Sequence, residues 1–99
     1  MIAPCAVVLR YKGFRFFFYS NEGSPRESVH VHLRGEGGEA KFWVRPEVRV
    51  ATSDDLNART LRELVRVVEQ NAEMIERAWN EHFAKVGALR REQPVGRIG

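Results

Sequence analysis

The apolar residues of this chain change period at Asn57, and that change limits the folds open to it. Before Asn57 the hydrophobic positions alternate with polar ones, as on strands with one face buried. After it they recur every three or four residues, as on one side of an α-helix. Strands followed by a helical segment define the α+β class, with an antiparallel sheet whose one face the helix covers.

Four runs carry the strand pattern, and a fifth is shorter. Ala6–Arg10 and Phe14–Tyr19 are β-branched or aromatic stretches separated by Tyr11-Lys12-Gly13, which reads as a hairpin. Turn-forming Asn21, Gly23, Ser24 and Pro25 make the next loop. Val29–Arg34 and Ala40–Arg45 then alternate strictly on either side of Gly35-Glu36-Gly37-Gly38, and Pro46 closes the second of them. Val48–Ala51 reads as a short fifth strand or an edge segment. The expected sheet therefore has four to five short strands.

Leu61, Leu64, Val65, Val68, Ala72, Ile75, Trp79, Phe83 and Val86 form one apolar stripe, with Asn57 as N-cap and Gly87 as a stop. A single C-terminal helix over 58–86 would be about 40 Å long, against about 20 Å for a six-residue strand. Such a helix must bend, break near Gln70-Asn71, or project beyond its sheet. Residues 1–87 thus form one α+β domain, and 88–99, with Pro94 and two glycines, read as a flexible basic tail. Val67, Met74 and Ala78 fall off the main stripe at heptad-like spacing, a hint of a seam with a second helix.

Strand alternation also sorts the residues by face. Phe14, Phe16, Phe18, Val29, Val31, Leu33, Ala40, Phe42 and Val44 form the set that meets the helix. The opposite set is Arg15, Phe17, Tyr19, His30, His32, Arg34, Lys41, Trp43 and Arg45, at once aromatic, basic and imidazole-bearing. Arginine, lysine and tyrosine are ordinary on a solvated sheet face, whereas Phe17 and Trp43 point to a contact surface. The partner such a face suits is a second small protein, a sister copy or a nucleic acid. The glycine–aromatic signatures of an RNA-recognition fold are missing.

His30 and His32 have three readings. Their i, i+2 spacing aims both rings one way, but two ligands fall short of the three or four a zinc site needs, so no metal and no cofactor is expected. As general acid and base the pair could cleave RNA, one ring taking the 2′-OH proton and the other protonating the leaving oxygen. As hydrogen-bonded strand residues they belong to the contact surface. No nucleophile elbow, P-loop, dinucleotide turn or HExxH helix occurs, so binding is favoured over catalysis.

Charge and composition add bounds. Residues 1–50 carry eight Lys/Arg against five Glu, residues 54–83 four Arg against seven acids, and residues 84–99 four basic residues against Glu92. A basic half and a basic tail thus flank an acidic helix, which suits an anionic partner. The lone Cys5 forms no internal disulfide, no apolar run is long enough to span a membrane, and the first residues lack a leader pattern. The cytoplasm is the expected compartment.

The order Gly13–Glu22, His30-Val31-His32, Ala40-Lys41-Phe42-Trp43 and Ala78–Phe83 resembles a bacterial family known as domain of unknown function family 4160, over roughly residues 4–84. Members of that family resemble components of toxin–antitoxin-type gene pairs, often beside a second small protein. The resemblance implies this fold and that genomic setting, and it carries no established active site. The family pattern usually places two prolines before the His-x-His strand. Ser28 and Val29 stand there in this chain, with Pro25 upstream.

Overall fold

A computed structural model describes residues 5–19 and 27–91. The turn read at Asn21–Pro25 and the part of the tail beyond residue 91 lie outside the described residues.

Five strands form one antiparallel sheet in sequence order: β1 (Cys5–Tyr11), β2 (Phe14–Tyr19), β3 (His30–Gly35), β4 (Gly38–Trp43) and β5 (Arg49–Asp54). Two hairpins are closed by two residues each. Lys12 and Gly13 both take positive φ, 46° and 81°, the mirror-image turn whose twist matches the flanking strands. Gly37, at φ 88°, serves the β3–β4 turn, where Gly35 pairs with Gly38. The fifth run is a full strand of six residues, longer than its apolar content suggests, because Thr52, Ser53 and Asp54 continue the ladder. The Arg45–Pro46 peptide is cis.

The helical segment consists of two helices rather than one: α1 (Ala58–Gln70) and α2 (Ala72–Arg91). Asn57 caps α1, its Oδ1 accepting from the Thr60 amide at 2.8 Å. The break falls at Asn71, whose backbone (φ −115°, ψ 15°) leaves the helical region. Its side-chain amide donates to the Val67 carbonyl at 2.8 Å, while its own carbonyl accepts from the Ile75 amide at 2.9 Å. One residue therefore ends the first helix and starts the second, with backbone bonding maintained across the bend. Gly87 does not stop α2, which continues to Arg91.

Both helices cover one face of the sheet. Phe16, Phe18, Val31, Leu33 and Phe42 from the strands, with Val44 just past β4, meet Leu64, Val68, Ile75 and Trp79 from the helices, all of them essentially inaccessible. The buried stripe is wider than the main apolar series. Val67 is buried in this core, and Met74 and Ala78 are partly buried against it. The seam expected from those three residues is therefore internal packing, not a surface for another helix.

Candidate functional site: the outer sheet face

Register follows from the hairpins, so the residues opposite the helices fall into cross-strand rows. One row runs Arg10, Arg15, Arg34, Glu39, Asp54 from β1 to β5. The next runs Val7, Phe17, His32, Lys41, Thr52. Beyond it, Cys5 pairs with Tyr19 across β1 and β2, and His30, Trp43 and Arg49 follow across β3, β4 and β5. Two bulges keep these rows in phase. An extra residue between Val7 and Leu9 returns β1 to register, and one opposite Lys41/Phe42 does the same for β5.

A connected layer of rings occupies the middle of this face. Phe17 stacks on His32 with centroids 5.7 Å apart, and Tyr19 meets both edge-on at 5.2 and 4.7 Å. His32 continues to His30 at 5.4 Å, and His30 to Trp43 at 5.4 Å. The Lys41 ammonium sits 4.6 Å from the Trp43 ring centroid, a cation–π contact. Tyr19, His32, Lys41 and Trp43 are half-buried, and Arg15 and Arg34 are exposed. Phe17, Tyr19, His32, Lys41, Thr52 and Asp54 help to line a shallow concavity of about 340 Å³.

Two residues of the expected platform lie deeper than strand parity alone suggests. Phe17 is 6% exposed, covered within the outer layer rather than presented to solvent. His30 is fully buried: β2 and β3 pair only as far as Phe17 and His32, and beyond that point the Trp79 indole of α2 comes within 4.9 Å of the imidazole. The His30 Nδ1–H donates to the Ser28 carbonyl at 3.0 Å, and the Glu27 carboxylate lies 3.7 Å from the same nitrogen. His30 is therefore the joint between the outer layer and the helix-side core. Arg45 also departs from the surface set. β4 ends at Trp43, and the Arg45 guanidinium turns to Glu76 of α2 at 2.8 Å.

Arg10, Glu39, Arg49, Thr52 and Asp54 belong to the outer face although sequence reading did not assign them to it. Their signal is register: Arg10 and Glu39 follow from pairing with Arg15 and Arg34, Arg49 from pairing with Trp43, and Thr52 and Asp54 fall outward once β5 is bulged and extended. His82 lies with the core aromatics, 5.9 Å from Phe18 and 4.7 Å from Phe83. Among the described residues no group of three or more His, Cys, Asp and Glu side chains could hold a metal ion. No described helix is long and apolar enough to cross a membrane.

A polar lock on the opposite side fixes the sheet to α1. The Tyr11 hydroxyl donates to the Glu63 carboxylate, and Lys12 Nζ pairs with the same oxygen at 2.8 Å. These hydrogen bonds, from Lys12 and then Tyr11, hold the Glu63 carboxyl below its ordinary range. The carboxylate in turn raises the Tyr11 hydroxyl and the Lys12 ammonium, in each case chiefly through its hydrogen bond.

The fold and this surface define a small α+β protein with a meander sheet, two helices on one side and a ring-and-cation layer on the other. The chain belongs to the family described as a domain of unknown function, DUF4160, whose model matches residues 13–80. That span runs from the β1–β2 turn to the middle of α2 and includes most of the outer layer. No curated protein and no solved structure matches the chain.

Proposed function

We propose that this protein is a cytoplasmic binding module of toxin–antitoxin type that acts by contact through its outer sheet face. Its partner is a second protein chain ahead of a nucleic acid. The observation that carries this reading is the ring layer Tyr19–His32–His30–Trp43 with Lys41 laid over it. A half-buried aromatic cluster rimmed by arginines has the composition of an interface centre. It is anchored to the core through His30 and Trp79, so its geometry is preorganised.

The ribonuclease alternative requires His30 and His32 to reach a substrate as acid and base. Complete burial of His30 weighs against it, because a 2′-OH cannot approach a ring with no accessible surface. RNA incubated with the wild type and with the His30→Ala/His32→Ala variant tests that reading directly. Cleavage lost in the variant would favour the enzyme.

For the binding reading, the product of the neighbouring gene is co-expressed with the wild type and with Trp43→Ala, and both are titrated with single-stranded RNA. Trp43→Ala is expected to weaken the contact at least about tenfold, as removal of a central interface aromatic does. Any RNA binding should fall steeply with salt. Affinities indifferent to Trp43, in both arms, would refute the assignment of this face.

A further inference from the structure

The row Arg10–Arg15–Arg34–Glu39–Asp54 places three cations side by side on adjacent strands, followed by two anions. Like charges directly opposite one another across strands are destabilising, so this order carries a cost in the isolated chain. Arg34 and Glu39 neutralise each other at 3.2 Å. No ion pair engages Arg10, Arg15 or Asp54 among the described residues, and all three are exposed. A polyanion lying across the sheet would meet attraction at β1 and β2 and repulsion at β5. A surface with the reverse order of charge would be matched at both ends of the row and would meet like charge only at Arg34, which Glu39 already neutralises.

That reversed surface is the same face turned over. Consider two copies packed face to face about a two-fold axis that runs along β3. The axis exchanges β1 with β5 and β2 with β4, so Arg10 of one copy faces Asp54 of the other, and Arg15 faces Glu39. In the adjoining row Lys41 falls opposite Phe17, which its own layer covers, and in the next row Tyr19 falls opposite Trp43. The two ionic pairs and the aromatic pair are favourable, while on the axis Arg34 and His32 meet their own copies. We infer that the outer face is self-complementary and that its partner is a second copy of this chain, in an isologous sheet-on-sheet dimer.

The area is sufficient. Five strands at about 4.8 Å spacing and six residues at about 3.3 Å rise give a projected face of roughly 24 × 20 Å. Two such faces bury on the order of 1,000 Å², the lower margin of a specific interface. This inference rests on the outer face being the contact surface and goes further by naming the partner.

Sedimentation equilibrium of the full chain, with Arg10→Glu, Asp54→Arg and the double variant, tests it. Both positions are exposed, so the variants keep the fold, which circular dichroism verifies. The wild type is expected to dimerise. Each single reversal repels at two symmetry-related contacts and should weaken the dimer by about tenfold. The double variant, with both charges exchanged, should recover to within about twofold of the wild type.

A wild type that stays monomeric, a dimer unmoved by either reversal, or a double variant no better than its worse parent would overturn the inference. Titration of the same proteins with fluorescent oligouridylate separates the two levels of the reading. A monomer that binds the oligonucleotide through Trp43 keeps the contact surface and removes only the second copy. If Asp54→Arg tightens oligonucleotide binding while the wild type stays monomeric, the partner is nucleic acid. A monomer with no oligonucleotide binding removes the second copy and the nucleic acid, and co-expression with the neighbouring gene's product then decides the contact surface.

Discussion

Trp79→Ala should cost this protein a large part of its stability and disturb the outer face at the same time. The indole is 1% exposed, and its ring centroid lies 4.4 Å from Phe83, 5.3 Å from Phe18 and 4.9 Å from His30. Removing a buried tryptophan side chain costs about 3–5 kcal/mol from lost transfer energy and the cavity left behind. A domain of this size is stabilised by roughly 5–15 kcal/mol, so the variant stands close to the threshold of folding. Trp79→Phe keeps an aromatic ring in place and should cost less than half as much.

Urea denaturation followed by circular dichroism supplies the free energies, and the midpoint should fall with an unchanged slope. Fluorescence gives a second readout, because Trp43 and Trp79 are the chain's two tryptophans and either substitution leaves Trp43 alone. Its emission should shift in Trp79→Ala, because His30 is the ring that touches both indoles. A loss below about 1 kcal/mol would refute the placement of Trp79 in the core. Unaltered Trp43 emission in a destabilised but folded variant would refute the His30 joint.

Two further outcomes follow from local geometry. Glu63 is held below its ordinary value of 4.5, so the lock stabilises the fold above that pH and is lost as pH falls through the depressed value. Tyr11 and Lys12 are raised above 10.0 and 10.5, so their share is present below pH 10 and is lost as pH rises through the raised values. Glu63→Gln should flatten both limbs of a stability–pH curve measured by thermal melts, and an unchanged acid limb would contradict this. Gly38→Ala would bring a methyl group within 2.8 Å of the Asp55 carbonyl and 2.9 Å of the Asp54 carbonyl, at the junction of β5 with the helical half. Backbone cannot yield as a side chain can, so about 1–3 kcal/mol should be lost in urea denaturation. A neutral result would place β5 elsewhere.

Much of this arrangement was legible in the chain. Alternation through Phe14–Tyr19, Val29–Arg34 and Ala40–Val44 assigned the inner face correctly, because a strand's period of two leaves no choice once one face is apolar. The helical stripe and the weak point at Asn71 were legible for the same kind of reason. Depth was not. Parity states which side Phe17 and His30 occupy, but how far their neighbours cover them depends on Tyr19, His32 and Trp79, whose proximity is tertiary. Val67 falls off the main stripe in sequence, yet α1 packs low enough on the sheet for Leu64, Val67 and Val68 all to be buried. Arg45 obeyed strand parity on paper, yet the strand had ended two residues earlier. The charge row was hidden at its β5 end, since counting by twos from Arg49 across the bulge opposite Lys41/Phe42 misplaces Asp54.

The central claim is that the molecule makes its contacts through the sheet face opposite the helices. A soluble paramagnetic probe, read by NMR on the full chain at low and at high protein concentration, tests this most directly. As concentration rises, protection should appear at Tyr19, His32, Lys41 and Trp43 while the outward face of α1 stays equally accessible. Protection centred on the helices, or none on the sheet at any concentration, would contradict it.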